Sequence, residues 1–311
     1  MAANIETMFY TREKPWHGLG TYVKEALSSE EALIASGLNW NVVQKTLITE
    51  NGLPIYGFKA NIRDTDNRVL GLVSDRYQVV QNREAFAFTD ELLGNGIDYE
   101  TAGALQEGKK IWLLAKLPKE YIILGDHISP YLVFSNSHDG GGAIRVAMTP
   151  VRVVCQNTLN LALNTASRSW SVVHMGDIKS KLEEARETLF RAENYMENLQ
   201  KEFENLNRIK ISDKKMTELV NTLLPIENNI TDIQARNITK MRDDVKSRYF
   251  EAPDLQGIGK NGYRFLNAIS DFATHMKPLR QTSNYRENLF ARTIEGNPLI
   301  DKAYEMIYSV A

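Results

Sequence analysis

Between Ile178 and Leu206 the residues Ile178, Leu182, Ala185, Leu189, Ala192, Met196, Leu199, Phe203 and Leu206 stand alternately four and three positions apart. That is the heptad period of a helix with one buried stripe. A helix carrying the whole stripe, over 177–208, has about 30 residues and spans roughly 45 Å, too long to lie on one small sheet. It must pair with other helices of the chain or with a copy of itself. Partners follow in sequence. Met216, Leu219, Val220 and Leu223 form one stripe before Pro225, and Ile230, Ile233, Met241, Val245 and Tyr249 form a second, with Thr231 as its N-cap. An intramolecular helical hairpin is the expectation and an oligomer seam the alternative. Residues 263–275, with Phe265, Leu266, Ile269 and Phe272 on one face, and 300–310 add two more helices.

Upstream the period changes to two. The segment 143–166, AIRVAMTPVRVVCQNTLNLALNTA, alternates Ile144, Val146 and Met148 with Arg145 and Ala147, as a half-buried strand does. Thr149-Pro150 interrupts it. From Gln156 the spacing of Leu159, Ala162, Leu163 and Ala166 is helical, with Asn157 placed to cap the first amides. The same order of strand, valine pair, Gln-Asn and helix occurs at 74–88, which suggests two related units, about 40–95 and 98–166; a recurrent strand-to-helix cap is the alternative. Around them, Ser28 caps a helix that Gly37 stops, 40–48 reads as a strand, and Asn51-Gly52 is a hairpin turn. Strands at 58–63 and 68–73, a helix at 84–93, and strands at 99–105, 111–117 and 131–134 complete the set. The fold class is α+β: a curved antiparallel sheet body with packed helices, then a long helical hairpin or coiled-coil-like α region. The division is an N-terminal arm at 1–20, a body at 21–175 and a helical region at 176–311.

The 311 residues carry a formal net charge of -2, and 43% are hydrophobic. These are ordinary values for a soluble globular chain. No apolar run approaches the ~20 residues of a membrane helix, no secretory pattern opens the chain, and a single cysteine fits a reducing compartment. A cytosolic protein with no membrane association is expected. Charge is uneven: from Lys109 to Met175 seven basic side chains face three acidic ones.

Four blocks, PWHGLG at 15–20, SNSHDGGGAIRV at 135–146, TPVRVVCQNTLNLAL at 149–163 and NGYRFLNAISDFATHM at 261–276, resemble the phage and plasmid-like family known as domain of unknown function 932. The resemblance implies a phage, prophage or plasmid setting. It brings no established reaction and no catalytic residues.

Chemistry-bearing motifs are sparse. Cys155 stands before an expected helix N-terminus, which lowers a thiol pKa. A nucleophile also needs a base, and His138, His174 and His275 are scattered candidates, so a buried structural cysteine is the plainer reading. His138-Asp139 before three glycines is a possible polar or anion site, or a hairpin tip; two groups do not make a metal site. The loop 257–262 lacks the phosphate-loop spacing. No catalytic residue, metal site or cofactor is assigned. The expected activity is binding. Lys109, Lys110, Trp112, Arg145, Arg152, Arg168 and Trp170 mix basic groups for phosphates with rings for stacking, which suits an oligomeric, non-enzymatic single-stranded nucleic-acid binding protein, strand annealing included. The alternative is a protein–protein interaction factor of a mobile element, such as an inhibitor of a host defence system.

Overall fold

The computed structural model describes residues 5–11, 21–24, 27–93, 98–117, 119–152, 157–158, 169–178, 180–181, 183–184, 192–276 and 297–309. The chain divides into two compact units. The first is Met1–Lys119, Pro130–Met148 and Arg168–Arg191; the second is Glu120–Ser129, Thr149–Ser167 and Ala192–Ala311.

The first unit holds the larger sheet's β1 (Ile5–Tyr10), β2 (Thr21–Tyr22), β6 (Asp98–Leu105), β7 (Lys110–Lys116) and β12 (Ser169–Val172), with most of β9 (Asp126–Ser137) and β10 (Ile144–Arg152). The order across the sheet is β10-β9-β7-β6-β1-β2, with β12 against β10. Pairing is antiparallel from β1 to β6 to β7 to β9, and β2 adds a parallel edge to β1. Period-two alternation turns Ala102, Ala104, Ile111, Leu113, Ala115, Leu132, Phe134, Ile144 and Val146 into one buried cluster. Helices α1 (Ser29–Ala35) and α2 (Asn82–Leu93) close it with Ala32, Leu33, Ala85, Phe86 and Phe88. Each large apolar side chain so buried contributes about 1.5–3 kcal/mol. The predicted Ser28 cap is a full capping box with Glu31, and Gly37 ends α1 at φ +68.

A second sheet in the same unit has the order β3 (Val42–Ile48), β4 (Pro54–Arg63), β5 (Val69–Ser74). Asn51-Gly52 makes the first turn, with Gly52 at φ +78. The alternation here is reversed in sense. The buried face carries Val42, Gln44, Asn61 and Arg63, while the other face presents three cross-strand rows: Val43–Ile62–Val69, Lys45–Ala60–Leu72, and Phe58–Ser74. Val43, Phe58, Val69 and Leu72 are 42%, 54%, 52% and 61% exposed.

The second unit is built on five helices among the described residues: α3 (Ala192–Arg208), α4 (Asp213–Leu223), α5 (Asp232–Glu251), α6 (Gly262–His275) and α7 (Pro298–Tyr308). It also holds the small hairpin of β8 (Tyr121–Ile123) with the start of β9. Helix α6 is buried nearly all round, which places it at the centre. Phe203 of α3 and Tyr249 of α5 meet its Tyr263 and Phe265 at ring distances of 5.0 and 6.4 Å. A Cβ on Gly262 would stand 3.0 Å from the Leu206 carbonyl and 2.8 Å from Ile307, so glycine sets how closely α3 and α7 approach α6. Arg264, 7% exposed, donates to the carbonyls of Tyr249, Phe250, Leu255 and Ile258, which lets a cation sit in this core.

Several expectations change. The α+β class stands, with antiparallel sheets and separate helices. The long coiled-coil-like hairpin is replaced by helices of moderate length, the longest described being α5 at 20 residues. One heptad stripe serves two cores: Ile178 belongs to the first unit's cluster, whereas Met196, Leu199, Phe203 and Leu206 are buried in the second. The oligomer-seam alternative loses Phe203, which packs on α6 of its own chain. The arm at 1–20 contains β1, whose Phe9 is fully buried. Asn157 is no helix cap: Asn157–Thr158 forms β11, paired with Val151 and Arg152, and β10 runs through Pro150 without a break. A short return strand satisfies these amides in place of a cap. Residues 159–168, 15–20 and 185–191 lie outside the described residues, and with them the expected helix after the pivot and the middle of the heptad stripe. Among the described residues no helix is long and apolar enough to cross a membrane.

Candidate functional site: a buried imidazole cluster

Strand β9 ends in Asn136-Ser137, and His138-Asp139 with the three glycines 140–142 turns it into β10. The His138 amide donates to the Lys109 carbonyl at 2.7 Å, and its own carbonyl accepts from Asn61 of β4 at the same distance. Asp139 folds the loop: one carboxylate oxygen takes the Gly141 amide at 2.7 Å and the Ser137 hydroxyl. A Cβ on Gly71 of β5 would fall 2.5 Å from the Asp139 Cα, so only glycine lets the loop lie this close to the smaller sheet. Asn61 and Gly71 thus hold this loop against the smaller sheet.

Both buried histidines have a definable tautomer. His138, fully buried, stands with Nε2 2.9 Å from Asn82 Oδ1. Asn82 spends its amide nitrogen on the carbonyls of Leu38 and Trp40, so its oxygen is the acceptor and His138 Nε2 carries the hydrogen. His174, 3% exposed, has Nδ1 3.0 Å from the Gln78 carbonyl, which can only accept. Its Nδ1 is therefore protonated. The opposite nitrogens, His138 Nδ1 and His174 Nε2, are bare lone pairs, and neither has a hydrogen-bond partner among the described residues. A buried polar atom left so costs about 1–3 kcal/mol. Tyr77 stacks on His174 with ring centres 4.4 Å apart and donates to the Ser137 carbonyl at 2.5 Å, while Trp40 meets His138 edge-on at 5.4 Å.

Burial pulls His138 down to about 3; His174 pushes the same way and Asp139 opposes. His174 is lowered too, first by burial, against its bond to Gln78 and the charge of Asp139. Burial, with Asp139 adding, raises the Tyr77 hydroxyl. At neutral pH both rings are neutral, the form that ligates or accepts a proton.

The basic and aromatic candidates divide. Lys110, Trp112 and Arg145 alternate with Ile111, Leu113, Ile144 and Val146, so they share the side of the larger sheet away from its core cluster. Trp112 is only 6% exposed, lying where a Cβ on Gly103 would be. Trp170 pairs with Val146 and packs on the core. Lys109 sits in the β6–β7 turn. Arg152 lies in β10 with its side chain outside the described residues, as are Arg168 and Cys155. His138 and Asp139 adjoin, as expected, but His138 is interior and not a hairpin tip.

Two clefts remain. One of about 710 Å³ in the first unit is lined by Gln78, Val79, Val80, Glu84, Ala87, Phe88, Glu91, Asp177, Ile178 and Glu183. One of about 820 Å³ in the second surrounds the loop at 257–261, where Lys260 is held by Asp213 at 2.8 Å. Among the described residues no three His, Cys, Asp or Glu side chains form a metal-holding group. Sequence reading missed Asn61, Tyr77, Gln78 and Asn82. The Gln-Asn pair before α2 was visible but read as a cap, and nothing local announces a partner 56 residues away.

A family model described as Domain of unknown function (DUF932) matches residues 69–293, well over half of the chain. No curated protein matches, and no solved structure does.

Proposed function

We propose a function for this chain as a member of the DUF932 family, to which it belongs: it is a non-enzymatic binding protein that works as an assembly of copies joined through the outer face of β3–β5. The observation that carries this reading is the exposure of that face. Val43, Phe58, Val69 and Leu72 stand in adjacent cross-strand rows, and Ile55, paired with Leu47, continues them towards the hairpin end, where Ile48, Leu53 and Tyr56 are exposed as well. These eight are between 40% and 85% exposed. At on the order of 100 Å² each, the five in the rows give roughly 500 Å² of apolar surface on one face, within the range of a functional patch. Contiguous apolar surface of this extent marks an interaction site.

A second copy is the occupant that fits. An apolar sheet face is complementary to itself across a two-fold axis, and two such faces stack about 10 Å apart. Only one charge, Lys45, lies in the rows, and it is on an edge strand. Light scattering on the full chain over a concentration series tests this. Mass rising to twice that of one chain is expected; a single-chain mass throughout overturns it, and mass gained only with host lysate points to a host partner instead.

A second reading, binding of single-stranded nucleic acid in a phage, prophage or plasmid setting, is favoured by one observation: Lys110, Trp112 and Arg145 lie on one side of the larger sheet. The two cations suit phosphates, while Trp112, 6% exposed, packs beneath them and offers no stacking face. Anisotropy of labelled single strands should fall with rising salt; salt-independent signals, or none, contradict it.

A further inference from the structure

We propose that the cleft of about 820 Å³ in the second unit binds a small phosphate ester. The support is the hydrogen-bond balance of the polar side chains on its wall: their acceptors are spent and their donors are not. Asn261 Oδ1 accepts from the Arg264 amide at 2.9 Å, so its other terminal atom is the nitrogen, which donates to Asn207 Oδ1 at 2.7 Å. That fixes the remaining Asn207 atom as an NH₂ group, and it has no partner among the described residues. Ser212 Oγ already accepts from the Lys215 amide, and the Tyr263 hydroxyl is spent on Asp126. Lys210 makes no ion pair or side-chain hydrogen bond among the described residues. Lys260 gives Asp213 one of its three ammonium hydrogens, at 2.8 Å. Two cations against one carboxylate leave an excess of positive charge.

These donors converge on Asn261. Its backbone bridges to Lys210, its side chain holds Asn207, and Lys260 precedes it in the chain. A phosphate group brings three acceptor oxygens and up to two negative charges, which matches donors arriving from three sides. Gly257 and Gly259 add to the fit. Neither lies in the left-handed region, and a Cβ would meet nothing within 4 Å on the first and only Asn261 Nδ2 at 3.6 Å on the second. The fold therefore does not need glycine here. What glycine supplies is bare backbone in the cleft wall, with amides that have no hydrogen-bond partner among the described residues. Leu124, 41% exposed, and Ile258 line the same cleft and offer apolar surface to the organic part of an ester. The volume is that of a small-molecule site.

Calorimetry on the full chain tests this, with adenosine monophosphate, inorganic phosphate and adenosine as separate probes. The monophosphate should bind at one site per chain, inorganic phosphate more weakly and adenosine not at all, with affinity falling as salt rises. Lys210→Gln should weaken the monophosphate about tenfold, as loss of a charge-assisted hydrogen bond does. Gly257→Ala/Gly259→Ala should keep the melting temperature and still lose affinity, which separates binding from folding. Amide NMR should show Gly257, Gly259 and Lys260 shifting with the monophosphate. No binding at millimolar monophosphate, adenosine binding as well as its phosphate, or affinity unchanged in both variants overturns the proposal.

Discussion

The two sheets of the first unit use the same alternation in opposite senses. In the larger sheet the apolar set, with Phe134 and Leu113, turns to the helices and is buried. In β3–β5 polar Asn61 and Arg63 are buried beside Val42, Leu70 and Val73, while apolar Phe58 and Leu72 are left exposed. Most of the buried polar face is hydrogen-bonded, the Arg63 Nε excepted. Asn61 donates to His138, Gln44 to Asn61 and the Tyr77 carbonyl, and Arg63 to Glu6 and the Glu107 carbonyl. The cost of this arrangement is an apolar face left exposed among the described residues. Period two fixes which residues share a face; what each face meets is decided by the next layer.

Substitutions sharpen the contrast. The largest effect is expected at the conventional face: Phe134→Ala should cost about 3–5 kcal/mol in denaturant unfolding. A loss under 1 kcal/mol would mean that this cluster is not the core. Next is acid. The His138 and His174 pKa values are lowered in the fold, His138 to about 3, so below the unfolded value near 6.5 the unfolded chain binds protons that the native one does not. Their contribution is fully present above about pH 6.5 and is lost as pH falls from there towards about 3. The slope reaches at most about 1.4 kcal/mol per pH unit from His138, and it should flatten in His138→Gln. Flat stability from pH 6.5 to 4 in the unaltered chain would contradict the buried neutral rings. Asn61→Ala, which unpairs the His138 carbonyl, should cost about 1–3 kcal/mol. The smallest effect belongs to the open face: Leu72→Ser should change single-chain stability by no more than about 0.5 kcal/mol.

Local features were legible in sequence. The Ser28 and Thr231 caps, the Asn51-Gly52 turn and the buried quartet Met216, Leu219, Val220 and Leu223 all follow from neighbours within one or two turns. The misreadings are matters of partnership. The heptad stripe is periodic through both units, so nothing in its spacing tells that Ile178 and Met196 serve different cores. Asn157 reads as a cap until Val151 and Arg152 are seen beside it. His138 was visible as a candidate, but its tautomer depends on Asn82, and that of His174 on Gln78, 96 residues away.

The central claim is that the open face of β3–β5 is a docking surface for a second copy. Sedimentation velocity on the unaltered chain beside Phe58→Asp/Leu72→Asp tests it most directly, with circular dichroism confirming the fold of both. The account predicts a concentration-dependent dimer for the unaltered chain and a folded monomer for the variant. Equal sedimentation of the two at every concentration would contradict it.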